Sequence, residues 1–110
     1  MSTRPLSKTQ LREVRRLNGI AYERELAKAA SDLQTQFESW RRGKSDVFAL
    51  NEQIHQYHNG ISRDLYKRYV MGEPTWNLAT AINRKVIKEA EVDSRIMENI
   101  RSLIGVLEQI

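Results

Sequence analysis

Apolar side chains in the first forty residues of this 110-residue chain fall mostly at alternating steps of three and four, and that spacing limits its folds more than any other feature. Leu11, Val14, Tyr22, Leu26, Ala29, Leu33, Phe37 and Trp40 share one helical face, so the segment buries a single stripe. Ser7 with Gln10 reads as a capping box, and Gly43-Lys44-Ser45 reads as a stop followed by a fresh N-cap at Ser45. The spacing predicts helix one over about 8–42. Its weak point is Asn18-Gly19, where glycine costs about 1 kcal/mol relative to alanine and the helix has its best place to kink or break.

The same period resumes in Val47, Leu50, Ile54, His58, Ile61, Leu65 and Tyr69, crosses a second Asn-Gly at Asn59-Gly60, and stops before Gly72-Glu73-Pro74. Helix two is expected over about 46–70. Pro74 suits a first helical turn, and Ala79, Ile82, Val86, Ala90, Asp93, Met97, Ile100, Ile104 and Leu107 then alternate without a slip, so helix three is expected over about 75–109. Five glycines and two prolines are too few turn formers for a sandwich or barrel. Two short connections make neighbours antiparallel, which gives an all-α fold: one domain over 1–110, an elongated up-down-up three-helix bundle with long first and third helices and coiled-coil-like packing.

The chain has no cysteine, which removes disulfide scaffolds, thiolate zinc sites and cysteine nucleophiles. No apolar run approaches the ~20 residues of a membrane span and no secretory h-region follows the N-terminus, so a cytoplasmic protein with no membrane partner is expected.

The stretch with most chemistry is Glu52-x-x-His55-x-x-His58, whose spacing of three puts its groups on one side of a helix. Di-metal bundles use two such Glu-x-x-His pairs with further glutamates, and this chain has one. With Ile54 at the centre of the buried face, His58 falls about 40° from it, His55 about 100° and Glu52 about 160°. That places His58 at the core edge and Glu52 in water, so no metal, no cofactor and no catalytic site are assigned. Neither a nucleophile elbow nor a phosphate loop exists, and the chain reads as a non-enzyme with no small-molecule substrate. Phe48, Tyr57, Tyr66 and Tyr69 widen the apolar sector of helix two, which core packing against two neighbours accounts for.

Charge separates along the chain. Residues 1–18 hold Arg4, Lys8, Arg12, Arg15 and Arg16 against Glu13, which is the whole net charge of +4, because the remainder is balanced. The fold expected here brings Arg63, Lys67 and Arg68 toward that basic segment and collects Glu91, Asp93, Glu98 and Glu108 with Asp32, Glu38 and Glu52 at the opposite pole. Arg12, Arg15, Arg16, Arg63, Lys67 and Arg68 are thus the candidate contacts for nucleic acid or an acidic protein.

The length mismatch among the helices supplies a second expectation. Leu6, Leu11, Val14 and Leu17 at one end, and Ile104, Val106, Leu107 and Ile110 at the other, overhang the shorter second helix and would face water in a monomer. Burying each is worth about 1.5–3 kcal/mol, so Leu11, Val14, Leu17, Ile104, Leu107 and Ile110 are the candidate homodimer interface. The function expected is a non-enzymatic interaction or oligomerisation module with a regulatory or adaptor role, the alternative being a small nucleic-acid-binding regulator.

Overall fold

A computed structural model describes residues 5–109, which are all-helical with no strand among them, in an extended shape of 58 × 28 × 24 Å. No helix among them is long and apolar enough to cross a membrane.

Helix α1 spans Lys8–Arg41 without interruption. Its capping box forms as the sequence predicts: Ser7 Oγ accepts from the Gln10 N–H at 3.1 Å and Gln10 Oε1 accepts from the Ser7 N–H at 2.9 Å. The helix does not break at Asn18-Gly19. Asn18 is buried, and its Nδ2 donates to the carbonyls of Val14 at 3.1 Å and Pro74 at 2.8 Å, while Gly19 faces water. Packing of Val14, Leu17 and Ala21 on either side offsets the weak propensity of the dipeptide.

Helix α2 (Val47–Gln56), a π-helical segment (Tyr57–Ser62) and helix α3 (Arg63–Met71) form one rod. The N-cap of α2 is Asp46, whose carboxylate accepts from the Ala49 N–H at 2.7 Å, and not Ser45. The wide turn falls on Asn59-Gly60 and takes up one extra residue. Sheltered positions are therefore Leu50, Ile54 and Tyr57 before it and Ser62, Leu65 and Tyr69 after it, with a step of five in the middle. That step moves His58 and Ile61 out of the stripe, so both are exposed instead of His58 lining the core edge.

The third helix expected over 75–109 is two. Helix α4 covers Pro74–Asn83 and helix α5 covers Ser94–Glu108, with a 3-10 turn at Glu89–Glu91 between them. Helix α4 ends in a Schellman motif: the Lys85 N–H donates to Ile82 O at 3.0 Å and the Val86 N–H to Ala81 O at 2.9 Å, with Lys85 at φ 63°. Asp93, read from spacing as part of the stripe, is the N-cap of α5 and accepts from the Arg95 N–H at 2.8 Å.

This fold-back decides where the core lies. Val14, Leu17 and Ala21 of α1 pack with Leu78, Ala79 and Ile82 of α4, Ile87 and Val92 of the link, and Ile96, Met97, Ile100 and Ile104 of α5. Val14, Leu17 and Ile104 are thus in the monomer's own core, and Leu6 and Leu107 pack half-buried against it, so these overhang positions are covered within one chain, while Val106 stays 49% exposed. Leu11 is half-buried, and Ile110 lies outside the described residues. The acidic pole is broken up for the same reason, since the link between α4 and α5 sets Glu91 against Arg24 of α1.

Candidate protein-interaction surface

The second half of α1 and helix α2 leave this base as a two-helix hairpin. Its turn is rigid. Gly43 at φ 75° takes the left-handed position that favours glycine, the Gly43 N–H donates to Trp40 O at 3.0 Å and the Lys44 N–H to Ser39 O at 2.9 Å, which is again the Schellman arrangement. With Asp46 capping α2, the two helices are joined by five residues, 42–46.

Two helices shelter only a narrow seam. Ala29 and Leu50 are the buried apolar residues between residues 26 and 62, and Leu33, Ile54 and Tyr57 are half-buried. Toward the tip the larger side chains stay in water: Phe37 and Trp40 are each 39% exposed, Val47 50% and Phe48 81%. A shallow groove of about 300 Å³ runs along one flank, with Leu33, Gln36, Gln53 and Tyr57 among its walls. The hairpin is electrically balanced, because Lys28, Arg41, Arg42 and Lys44 are matched by Asp32, Glu38, Asp46 and Glu52.

The root of the hairpin is bolted to the base. Glu25, almost fully buried, accepts from the Tyr69 hydroxyl at 2.5 Å, from Arg84 at 2.7 Å and from Arg68 at 3.4 Å. Tyr22 stacks on Tyr69 with ring centroids 5.4 Å apart. Burial and the hydrogen bond to Glu25 push the Tyr69 phenol above its ordinary value, so it stays a neutral donor. The residue before Glu25, Arg24, grips Glu91 through both guanidinium ends at 2.9 and 2.6 Å and also donates to Val86 O at 2.9 Å. The Arg24 hydrogen bonds, with the Lys88 N–H, pull Glu91 down to about 2. At the α3–α4 corner Asn77 Nδ2 donates to Arg68 O at 2.5 Å.

The basic residues singled out by sequence separate into two groups. Arg12 and Arg15 are exposed on α1, and Arg16 donates to Glu13 at 2.9 and 2.5 Å, which lowers the Glu13 carboxyl below its usual range. Arg63 and Lys67 are exposed on α3, while Arg68 is committed to Glu25. Arg63 lies by Tyr22, which is six to ten residues, or about 9–15 Å of helix, from Arg16 and Arg12. Among the described residues no hydrogen bond or ion pair links the two groups. Glu52, His55 and His58 are all exposed, and no three metal-ligating side chains gather among the described residues.

Sequence spacing placed Phe37, Trp40 and Phe48 in core stripes, and the structure leaves them in water. No family model, no curated protein and no solved structure matches the chain.

Proposed function

We propose that the protein is a non-enzymatic helical interaction module, regulatory or adaptor in role and acting in the cytoplasm, which works by presenting the tip of its hairpin to another protein. What supports the reading is that four large apolar side chains, Phe37, Trp40, Val47 and Phe48, are exposed within six residues of the hairpin turn at Gly43, on an arm whose charges balance. Large apolar side chains gathered in this way mark interaction sites, and aromatic residues dominate the energetics of such contacts. A photo-crosslinking phenylalanine at Phe48, and separately at exposed Arg101 on α5, tests it in the cells that make the protein. Adducts from the Phe48 position alone are expected. No adduct at Phe48, or the same adducts from both positions, sinks the proposal.

A second reading has one observation of its own. On α3 the exposed Tyr66 lies between Arg63 and Lys67, a ring among cations that suits a single-stranded nucleic acid. If Arg12, Arg15, Arg63 and Lys67 hold phosphates, affinity for single-stranded RNA falls steeply with salt, each neutralised phosphate adding about 0.7 to the slope. No binding at low salt removes this reading.

A further inference from the structure

Two grooves flank the rod of α2, the π-helical segment and α3, and their walls differ in kind. The groove along the hairpin has Asp32 in its walls and no cation among the described residues. The second is a cleft of about 370 Å³ between Tyr22 of α1 and the rod, lined on the rod side by His58, Asn59, Ser62, Arg63 and Tyr66. That volume falls in the range of small-ligand sites. Arg63 is the charged residue of the lining, and its neighbour in sequence, Asp64, is not part of it. The cleft therefore favours an anion and repels a cation.

The π-helical turn builds this lining. The extra residue that carries His58 out of the apolar stripe sets it, with Asn59 and Ser62, beside Arg63 and Tyr66 of α3. Each of the six lining residues has a polar group, and none of those side-chain groups is bound to another described residue. At the neighbouring hairpin root, by contrast, Glu25, Tyr69, Arg68 and Arg84 are spent on one another. Tyr22 is held in place all the same, because its ring stacks on that of Tyr69, whose hydroxyl Glu25 fixes. A wall ordered in advance lowers the entropy lost on binding.

Side-chain chemistry narrows the anion further. Tyr22 and Tyr66 offer ring surface to a flat partner. The Asn59 amide both donates and accepts, which suits the edge of a nucleobase, and the Arg63 guanidinium presents a fork that fits phosphate. We infer that this cleft binds one nucleotide unit, its base against Tyr22 and Tyr66 and its phosphate on Arg63, with Asn59 and Ser62 toward the base edge. The unit is either a free mononucleotide or one residue of a single strand. The inference shares Arg63 and Tyr66 with the nucleic-acid reading above and rests on that reading for the choice of ligand.

Amide spectra of the full chain titrated at low salt with adenosine monophosphate, adenosine, inorganic phosphate and a single-stranded RNA test this. The monophosphate should shift Asn59, Ser62 and Arg63, leave Arg101 unmoved, and bind more tightly than adenosine or phosphate, because it alone fills both halves of the cleft. Arg63 and Tyr66 are exposed, so replacing them leaves the fold intact, which the same spectra check. Arg63→Ala and Tyr66→Ala should each weaken binding at least about fivefold, the lower end of what one stacked base contributes, whereas Tyr66→Phe keeps the ring and should keep the affinity. No shift at the cleft with the monophosphate or the RNA overturns the inference, and so do affinities that neither alanine variant changes. Phosphate binding as tightly as the monophosphate overturns it as well, since the rings then hold nothing. Monophosphate binding without RNA binding assigns the cleft to a free nucleotide and removes the nucleic-acid reading alone. RNA binding that Arg12→Ala weakens and neither Arg63→Ala nor Tyr66→Ala touches leaves that reading standing and removes the cleft.

Discussion

The base and the hairpin are built from the same long helix and the same apolar period, yet one closes and the other does not. In the base α1 packs against α4 and α3, α5 closes the core from behind α4, and Leu17, Leu78, Ile96 and Ile100 are sealed from water. Along the hairpin α1 meets one partner, and even its best-covered residues, Ala29 at 9% and Leu50 at 5% exposed, stay short of that state. An amphipathic stripe wider than about 100° needs more than one neighbour. Where the second neighbour is missing, the stripe becomes surface, so the number of surrounding helices decides whether a residue such as Trp40 is core or contact.

The sharpest way to break this contrast is to truncate the same side chain in both regions. Leu17→Ala in the base should cost about 2–5 kcal/mol in urea unfolding, the range for an enclosed leucine. Leu33→Ala in the half-open seam should cost less than half as much in a monomeric background. Equal losses would mean that the hairpin closes a core of its own.

Glycines should separate the regions next. A Cβ on Gly72, at the α3–α4 corner, would lie 2.3 Å from the Arg68 carbonyl oxygen and 2.9 Å from Asn77, so backbone must shift. Gly72→Ala should therefore destabilise by about 1–3 kcal/mol, as overpacking does. Gly60 meets nothing within 4 Å, and Gly60→Ala should leave stability unchanged or raise it by up to about 1 kcal/mol. A matching loss at both positions in thermal melts would contradict the close corner.

The two Schellman turns offer a smaller and opposite effect. Gly43 occupies the left-handed position at the hairpin tip, whereas Lys85 occupies it in the base. Lys85→Gly should stabilise by about 1 kcal/mol, the strain a side chain carries there, read as a raised melting temperature. No gain would show that the lysine makes up the strain through contacts of its own.

The smallest effect concerns pH at the hairpin root. The folded-state pKa of Glu91, about 2, lies below its ordinary 4.5, so its contribution to stability is present above 4.5 and is lost as pH falls toward about 2. Glu91→Gln should lower the melting temperature at neutral pH, and the difference from the unaltered chain should shrink across that window. A difference that persists at pH 2 would assign the effect to packing instead of charge.

Particular residues show how far the sequence could be read. The Ser7-Gln10 box and the run to Trp40 mark α1 because cap chemistry and period agree there. The α4–α5 break escaped because Lys85 stands where glycine usually signals a helix stop, and because Asp93 happens to continue the three-four spacing across it. The candidate surface was hidden for another reason: spacing tells which side chains share a face and says nothing of how many helices cover it. Phe37, Trp40 and Phe48 therefore read as core. Their closeness to Gly43, where two helices end together, was the available clue that little else reaches them.

The π-helical segment has a consequence best put in angular terms. Twelve residues separate Tyr57 from Tyr69, and in a straight α-helix they would point about 120° apart. Taking one residue out of the count, as the wide turn does, brings them to about 20° of each other. The rod thus acts as a vernier: two stripes written out of phase in the sequence are brought to bear on one neighbour. The bearing of the aromatic tip relative to the charged foot is set by that single supernumerary residue.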